Sequence, residues 1–195
     1  MKPEQAFLIY LHGFNSSPKS HKASQLREYL AERGLGEHYA CPALPPSGSQ
    51  SIALVEAEMQ QRPGRRFVFI GSSLGGFYAT WLAEKHDASA VIINPGIRPW
   101  GDLRNYLGSQ QNIYTGECYE LTEAHLDEWQ RLWVPFITPS RYFLLAETGD
   151  ELLDYRDAAS RYEGARQLIV PGGDHSFQSF TVHIPALLEF AGMSA

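Results

Sequence analysis

Short apolar runs alternate with amphipathic stretches along the 195 residues of this chain. Within the apolar runs, nearly every residue is apolar, whereas a half-buried strand would be apolar only at every second position. Such runs are typical of parallel strands that are covered on both faces. We therefore predict six strands, at 6–11, 39–41, 66–71, 90–94, 141–147 and 166–171.

Stretches with helical periodicity separate these runs. In the first of them, Leu26, Tyr29 and Leu30 follow helical spacing, and Gly34 is suited to end the helix. The alternation of strands and helices predicts one domain over 1–195, an α/β fold with a mostly parallel sheet and helices on both faces. The predicted helices lie at about 20–33, 50–61, 75–86, 122–133, 154–162 and 179–192.

The spacing breaks once, because residues 95–140 form a connection much longer than the other crossovers. This segment is rich in aromatic residues, and Leu126, Trp129 and Trp133 share one face of a predicted helix that Thr122 is suited to cap. Two hypotheses follow for the segment at about 96–140. Its aromatic side chains pack among themselves, or the segment is a cap-like insertion over a pocket.

Composition and charge exclude several classes of function. A net charge of −6 argues against non-specific binding to nucleic acid or to an anionic membrane. The two cysteines, Cys41 and Cys118, are too few for a disulfide framework and lack metal-ligand spacing. The apolar run near the N-terminus is too short for a signal peptide core or a membrane span. We therefore expect a cytoplasmic monomer or small homo-oligomer that needs no metal or cofactor.

Residues 71–75, with the sequence GSSLG, lie between a predicted strand and a predicted helix. Ser73 has Gly71 and Gly75 at two positions before and after it, whereas Ser72 does not. This pattern between a strand and a helix is typical of a nucleophile elbow, in which the serine has a strained backbone conformation. A plain tight turn is the alternative, since a chain with 17 glycines can match the pattern by chance.

A nucleophilic serine needs a base, and in this type of fold the base is a histidine that follows the last strand. His175 lies there, in the sequence VPGGDHSF, where two glycines allow a close turn. His183 also follows that strand, but it lies inside the last predicted helix, where a packed or solvated histidine is common. We therefore favour His175 as the base.

The histidine in turn needs a carboxylate that orients it. Asp150 comes shortly after the fifth strand, behind a glycine, and is the favoured candidate. A helix-capping or solvated aspartate is the alternative explanation for this residue. Glu147, Glu151 and Asp154 are the other candidates, whereas Asp174 is adjacent to the histidine and poorly placed to bond its ring.

The oxyanion of an acyl-transfer intermediate needs two hydrogen-bond donors. One candidate is the backbone N–H of Leu74, directly after the serine. The other is the backbone N–H of Phe14, in the sequence LHGF after the first strand. A simple loop between that strand and a helix capped by Ser20 also explains this sequence, and both interpretations are compatible.

Five blocks of sequence together resemble the α/β-hydrolase superfamily, and within it the small bacterial YqiA-type esterases. The blocks, in order, are IYLHGFNSSPKSHKA, GSSLGGFYATWLAE, INPGIRP, TGDELLDYRDA and GGDHSF. The resemblance implies a six-stranded sheet with strand order 2-1-3-4-5-6, without the two N-terminal antiparallel strands of larger members. It also implies that Ser73, Asp150 and His175 form a triad, with Phe14 as an oxyanion donor. Residues 108–121 match no motif of this family.

These features predict a serine hydrolase that cleaves a small carboxylic ester or acyl thioester. An amidase, peptidase or lactonase with the same triad is an alternative, since one fold hosts many activities. A non-catalytic binding protein with a hydrolase fold is the alternative from a different class.

Overall fold

The computed structural model describes residues 5–193 of the chain. The strands are β1 (Phe7–Leu11), β2 (Tyr39–Ala40), β3 (Phe67–Ser72), β4 (Ser89–Ile93), β5 (Gly108–Gln111), β6 (Cys118–Leu121), β7 (Tyr142–Glu147) and β8 (Arg166–Val170). The α-helices are α1 (His21–Ala31), α2 (Gly48–Gln60), α3 (Leu74–His86), α4 (Pro99–Asp102), α5 (Glu123–Arg131), α6 (Tyr155–Arg161) and α7 (Phe180–Phe190). Short 3-10 turns cover Gly36–His38, Arg104–Tyr106 and Pro139–Arg141.

Within residues 5–193, six strands form one parallel sheet in the order β2-β1-β3-β4-β7-β8. Counting only these strands, the order is 2-1-3-4-5-6, so the predicted fold class and strand order are confirmed. Because the strands are parallel, the loops that follow β1, β3, β4, β7 and β8 all lie at one edge of the sheet. Each predicted candidate for catalysis is on one of these loops or next to it.

Successive residues of the central strands enter two separate cores. In β1, Ile9 and Leu11 pack on one face of the sheet, while Leu8 and Tyr10 pack on the other. All of these side chains are buried. Burial on both faces explains why the strand sequences are apolar throughout and do not alternate.

Helices cover both faces of the sheet. Helices α1 and α7 pack against the face that includes Leu8, whereas α2, α3, α5 and α6 contribute buried residues to the other face. These contacts position the N-terminus of α3 directly at the carboxyl end of β3. In the part of the chain that the model describes, none of the helices has the length and apolar character that crossing a bilayer requires.

The long connection between β4 and β7 contains α4, α5 and an antiparallel hairpin of β5 and β6, in which Gly108 pairs with Leu121. The hairpin was not predicted, because the sequence of β5, GSQQ, has no apolar alternation. Thr122 precedes α5 as its N-cap, and its backbone N–H donates to His125 Nδ1. Helix α5 ends at Arg131, so Trp133 lies beyond the helix that was predicted to include it.

Candidate active site

Ser73 forms the turn between β3 and α3, with φ 56° and ψ −123°. Residues other than glycine rarely adopt this conformation, so the backbone at Ser73 is strained. Neighbouring backbone groups hold the turn: the amide of Ser73 donates to the carbonyl of Ile93 at 3.1 Å, and its own carbonyl accepts from Gly96 at 3.1 Å. The loop after β4 therefore fixes the serine in this conformation.

The two glycines that flank Ser73 lie where backbones come too close for a side chain. A Cβ on Gly75 would overlap the carbonyl oxygen of Leu11 in β1, and one on Gly71 would overlap the carbonyl of Gly75. This close approach of α3 to the sheet is the physical reason for the glycine pattern that the sequence shows.

His175 lies between Ser73 and Asp150. Its Nε2 is 3.1 Å from Ser73 Oγ, and its Nδ1 is 2.8 Å from Asp150 Oδ2. An ionised carboxylate only accepts hydrogen bonds, so Nδ1 carries the proton and Nε2 accepts from the serine hydroxyl. The side chain of Asp150 is 2% exposed and that of His175 is 19% exposed. The three predicted residues therefore form one row of hydrogen bonds.

Asp150 is held as an anion by its surroundings. Burial raises the pKa of this carboxyl, but the hydrogen bond from His175 and those from the amides of Leu153 and Leu152 outweigh burial, so the pKa lies below its usual value. Both amides donate to Oδ1 at 2.9 Å, while Oδ2 accepts from the histidine. The carboxylate is therefore charged and fixed in direction at neutral pH.

The other carboxylates near the histidine have different contacts. Glu147 accepts from the backbone amide of Asp174 at 2.9 Å, and Glu151 accepts from the backbone amide of His175 at 3.0 Å. Asp154 accepts from the first turn of α6 as its N-cap. Of the acids considered from the sequence, Asp150 is the one bonded to the imidazole ring.

The alternatives to Ser73 and His175 are also engaged elsewhere. The Ser72 hydroxyl forms a hydrogen bond with Tyr10. His183 lies on α7, as predicted, and its ring meets the ring of Phe177 edge-on at 5.7 Å. Both side chains have packing partners that account for their positions.

His12 supports the loop that carries Phe14. The backbone N–H of Leu44 donates to His12 Nε2 at 3.0 Å, so Nδ1 carries the proton and donates to the carbonyl of Gly13 at 3.1 Å. Burial lowers the pKa of His12, and the bond to Gly13 opposes this only in part. The imidazole is therefore neutral and holds the loop next to Ser73. The loop lies so close that a Cβ on Gly13 would be 3.1 Å from the Cβ of Ser73.

The β5–β6 hairpin is bonded to the same loop. Asn15, which has φ 49°, donates from Nδ2 to Gln110 Oε1 at 3.0 Å and accepts at Oδ1 from the Tyr119 hydroxyl at 2.7 Å. Asn112 Nδ2 donates to the carbonyl of Ser16 at 2.7 Å. The insertion thus contacts the segment that follows Phe14 through several side chains.

Among the described residues, Ser73 and His175 both line two neighbouring cavities. One, of about 110 Å³, also contacts Phe14 and Leu74, and its remaining lining is mainly apolar: Pro99, Leu103, Tyr106, Leu152 and Leu153. The other, of about 190 Å³, has a more polar lining that includes Tyr10, Ser16, Ser20, Lys22 and Tyr114. Burial lowers the pKa of Lys22 to about 8, although nearby carboxylates raise it in part. The serine therefore lies where an apolar and a polar space meet.

Sequence reasoning missed the polar residues behind the site, namely His12, Asn15 and Asn94. In the sequence, LHGF indicated a role for the backbone of Phe14 but none for the His12 side chain. The one signal for Asn94 in the sequence is its position between a predicted buried strand and the turn-forming residues Pro95 and Gly96. Their roles depend on contacts between distant segments, which the linear pattern does not contain.

The parallel sheet, its strand order and the serine turn after β3 define an α/β-hydrolase fold. A family model described as "Uncharacterised protein family (UPF0227)" matches residues 7–192, and the chain belongs to that family. A UPF0227 protein of Pectobacterium carotovorum subsp. carotovorum is 24% identical over 187 residues, which cover 94% of this chain and 97% of the relative. The predicted resemblance to the α/β-hydrolase superfamily is confirmed.

Solved structures share this fold at low sequence identity. A hydrolase candidate from Agrobacterium vitis S4 has a TM-score of 0.78 at 18% identity, over 96% of this chain and 88% of its own. The esterase domain of a Rhodothermus marinus protein has a TM-score of 0.68 at 15% identity, over 98% of this chain and 88% of its own. A monoacylglycerol lipase from Paleococcus ferrophilus has a TM-score of 0.66 at 15% identity, over 96% of this chain and 95% of its own. The TM-scores establish the common fold.

Proposed function

We propose that the protein is a serine hydrolase that cleaves small carboxylic esters or acyl thioesters through an acyl-enzyme intermediate. The observation that carries the proposal is the row of hydrogen bonds from Ser73 Oγ to His175 Nε2 at 3.1 Å and from His175 Nδ1 to Asp150 at 2.8 Å. Ser73 Oγ attacks the acyl carbon while Nε2 takes its proton, and the Asp150 carboxylate stabilises the charged imidazole.

The oxyanion receives two backbone N–H groups in this mechanism, those of Leu74 and Phe14. Leu74 is the first residue of α3, so its amide has no partner within the helix and lies at the positive end of the helix dipole. Phe14 and Leu74 line the same cavity as Ser73. His175 then gives its proton to the leaving group, and a water molecule releases the acyl group by the reverse route. These steps require neither a metal nor a cofactor.

The apolar cavity is the proposed acyl site. At about 110 Å³ the cavity is small beside typical ligand pockets of roughly 300–1,000 Å³. This volume favours a short acyl chain. Pro99, Leu103 and Tyr106 of the insertion supply part of the lining, and the Tyr106 ring packs edge-on against Phe14 at 6.0 Å. We therefore propose that residues 96–140 act as a cap that sets the acyl preference.

Neighbours of the same fold described as an esterase domain and a lipase support ester cleavage over the alternatives. An amidase, peptidase or lactonase would use the same residues, so substrates must separate them. A panel of esters and thioesters of graded acyl length, with matched amides and lactones, tests the bond type. We expect the short esters or thioesters to react fastest.

Labelling by a fluorophosphonate tests whether the serine is a nucleophile at all. We expect wild type and Ser72→Ala to be labelled, and Ser73→Ala to remain unlabelled while it keeps the melting temperature of wild type. Ser72→Ala is the matched control because it removes a neighbouring hydroxyl that is bonded to Tyr10. A wild-type protein that neither reacts with the probe nor hydrolyses any ester would be a binding protein and would overturn the proposal.

A further inference from the structure

Asn94 is a buried polar residue at the centre of the sheet edge where the candidate site lies. It directly follows β4, is 3% exposed, and has φ 39°, a positive value that asparagine adopts more readily than most residues and glycine most readily of all. Strand β4 lies between β3, which leads to Ser73, and β7, which leads to Asp150. The side chain of Asn94 is therefore enclosed by the loops that carry the proposed triad.

The Asn94 side chain joins the acid loop to the histidine loop. Its Oδ1 accepts from the backbone N–H of Glu147, the last residue of β7, at 2.9 Å. Its Nδ2 donates to the carbonyl of Asp174 at 3.0 Å and to the carbonyl of His175 at 3.2 Å. One primary amide thus uses both of its ends, and one of the two carbonyls that accept from it belongs to His175 itself.

The residues on either side of Asn94 hold the serine turn. The carbonyl of Ile93 accepts from the amide of Ser73, and the amide of Gly96 donates to the carbonyl of Ser73, both at 3.1 Å. The segment 93–96 therefore contacts the strained serine through its backbone and the other two loops through one side chain.

We infer that Asn94 is a positioning residue that sets His175 at hydrogen-bond distance from both Ser73 and Asp150. This inference rests on the proposed function and assigns Asn94 no contact with substrate. Proton transfer depends closely on geometry, and a misplacement of about 1 Å can cost on the order of 10²-fold in rate. A primary amide supplies both the acceptor and the two donor hydrogens that these three partners need.

Glu147 holds the other end of the same histidine loop. Its side chain is buried, accepts from the amide of Asp174 at 2.9 Å and from the Ser179 hydroxyl at 2.6 Å, and fills the space beside Gly173. These contacts keep the loop folded when the Asn94 side chain is removed. Loss of the Asn94 side chain should therefore disturb the direction of His175 more than the overall fold.

Two variants separate positioning from folding. Asn94→Gly deletes the amide and suits the positive φ, but it leaves the Glu147 amide and two carbonyls without that partner, so we expect a lower melting temperature in a protein that still folds. Asn94→Asp keeps an acceptor for the Glu147 amide but turns an oxygen toward the carbonyls of Asp174 and His175. The matched control is Ser51→Ala, which removes a buried hydroxyl bonded to Pro45 on the helix α2 side.

For a short ester that wild type hydrolyses, we expect kcat to fall on the order of 10²-fold in Asn94→Gly and further in Asn94→Asp, while KM changes less than about two-fold. The rate of fluorophosphonate labelling should fall in parallel, and Ser51→Ala should keep both rates. Wild-type kcat in Asn94→Gly, or an equal loss in Ser51→Ala, would overturn the inference.

An NMR measurement tests the inference even if the protein hydrolyses no ester. The proton between His175 Nδ1 and Asp150 should give a low-field resonance, identified by its absence in His175→Gln. We expect this resonance to shift or broaden in Asn94→Gly and to be unchanged in Ser51→Ala. An unchanged resonance in Asn94→Gly would show that Asn94 does not set the histidine, whereas an inactive wild type would overturn only the proposed function.

Discussion

The indole of Trp129 on α5 donates from Nε1 to the hydroxyl of Tyr78 on α3 at 2.7 Å, and both side chains are buried. This bond joins the insertion to the helix that starts at the candidate nucleophile. Trp129 also packs so closely on α2 that a Cβ on Gly48 would lie 2.9 Å from its ring. In the described part of the chain, the cavities that reach Ser73 do not include Trp129 in their lining. Trp129 is thus packed in the core.

We predict that Trp129→Phe lowers stability without changing substrate preference. The change removes the Trp129 donor while the Tyr78 hydroxyl keeps its hydrogen bond with Ser51, so the lost bond should cost about 1 kcal/mol. A melting curve should show the loss, while the ratio of kcat/KM between short and long esters should equal that of wild type. A changed ratio in this variant would mean that the tryptophan shapes the acyl site.

The matched substitution inside the cavity is Leu103→Ala, which enlarges the apolar lining. We expect kcat/KM to shift toward longer acyl chains, because each additional methylene that becomes buried contributes about 0.8 kcal/mol, roughly four-fold in rate. The ester panel measures this directly. A chain-length profile identical to that of wild type would place the acyl group elsewhere, the polar cavity beside Lys22 being the next candidate.

Asp150→Asn should reduce kcat on the order of 10⁴-fold, as the loss of the orienting carboxylate does in the serine-protease template. The amide can donate to His175 Nδ1, so the ring takes the tautomer whose Nε2 cannot accept the serine proton. Glu151→Gln is the control, because Glu151 accepts from the backbone of His175 and leaves the ring free. Steady-state kinetics of both variants decide the assignment, and a larger loss in Glu151→Gln would contradict it.

Gly75→Ala should prevent the close packing of α3 on β1, because the new Cβ would overlap the carbonyl of Leu11. We expect a marked loss of soluble, folded protein, or a large drop in melting temperature with loss of labelling at Ser73. Gly101→Ala is the control. Gly101 also lies in a helix, α4, but apart from its own turn of helix a Cβ on it would have no atom of the described residues within 4 Å. That substitution should be neutral or stabilise by up to about 1 kcal/mol. A stable, active Gly75→Ala would show that the turn relaxes more easily than its contacts indicate.

The lowered pKa of His12 predicts a dependence of stability on pH. In the unfolded chain the imidazole takes up a proton as the pH falls below about 6.5. In the folded protein burial opposes that protonation, so the unfolded state binds more protons in this range. The contribution of His12 to the free energy of unfolding is therefore complete above that pH and declines below it.

Urea unfolding of wild type and His12→Gln at about pH 7.5 and about pH 5.5 tests this linkage. We expect the variant to be less stable at the higher pH and to lose less stability between the two, because the other histidines are common to both proteins. An equal loss in both proteins would mean that His12 does not titrate differently on folding.

Much of this fold can be predicted from the sequence because the central strands β1, β4 and β7 are almost entirely apolar and the serine after β3 is flanked by glycines at two positions before and after it. Since parallel strands end at one edge, Ser73, Asp150 and His175 were predicted to meet, and they do; their catalytic roles stay predictions. The β5–β6 hairpin could not be predicted, because its strands owe their position to pairing with each other and to bonds with Asn15. Asn94 was missed for the same reason, since its partners are distant in sequence.

The hairpin of the insertion is bonded through Tyr119, Gln110 and Asn112 to the loop that presents Phe14. A lid that swings away from the serine would have to break these bonds and would disturb the proposed oxyanion site as it opened. We therefore expect the hairpin and the loop that carries Phe14 to move together. Substrate would then enter past Tyr106 and Leu152, which line the cavity and are 47% and 61% exposed. If the protein is the hydrolase proposed above, its progress curves should therefore start without a lag after substrate is added.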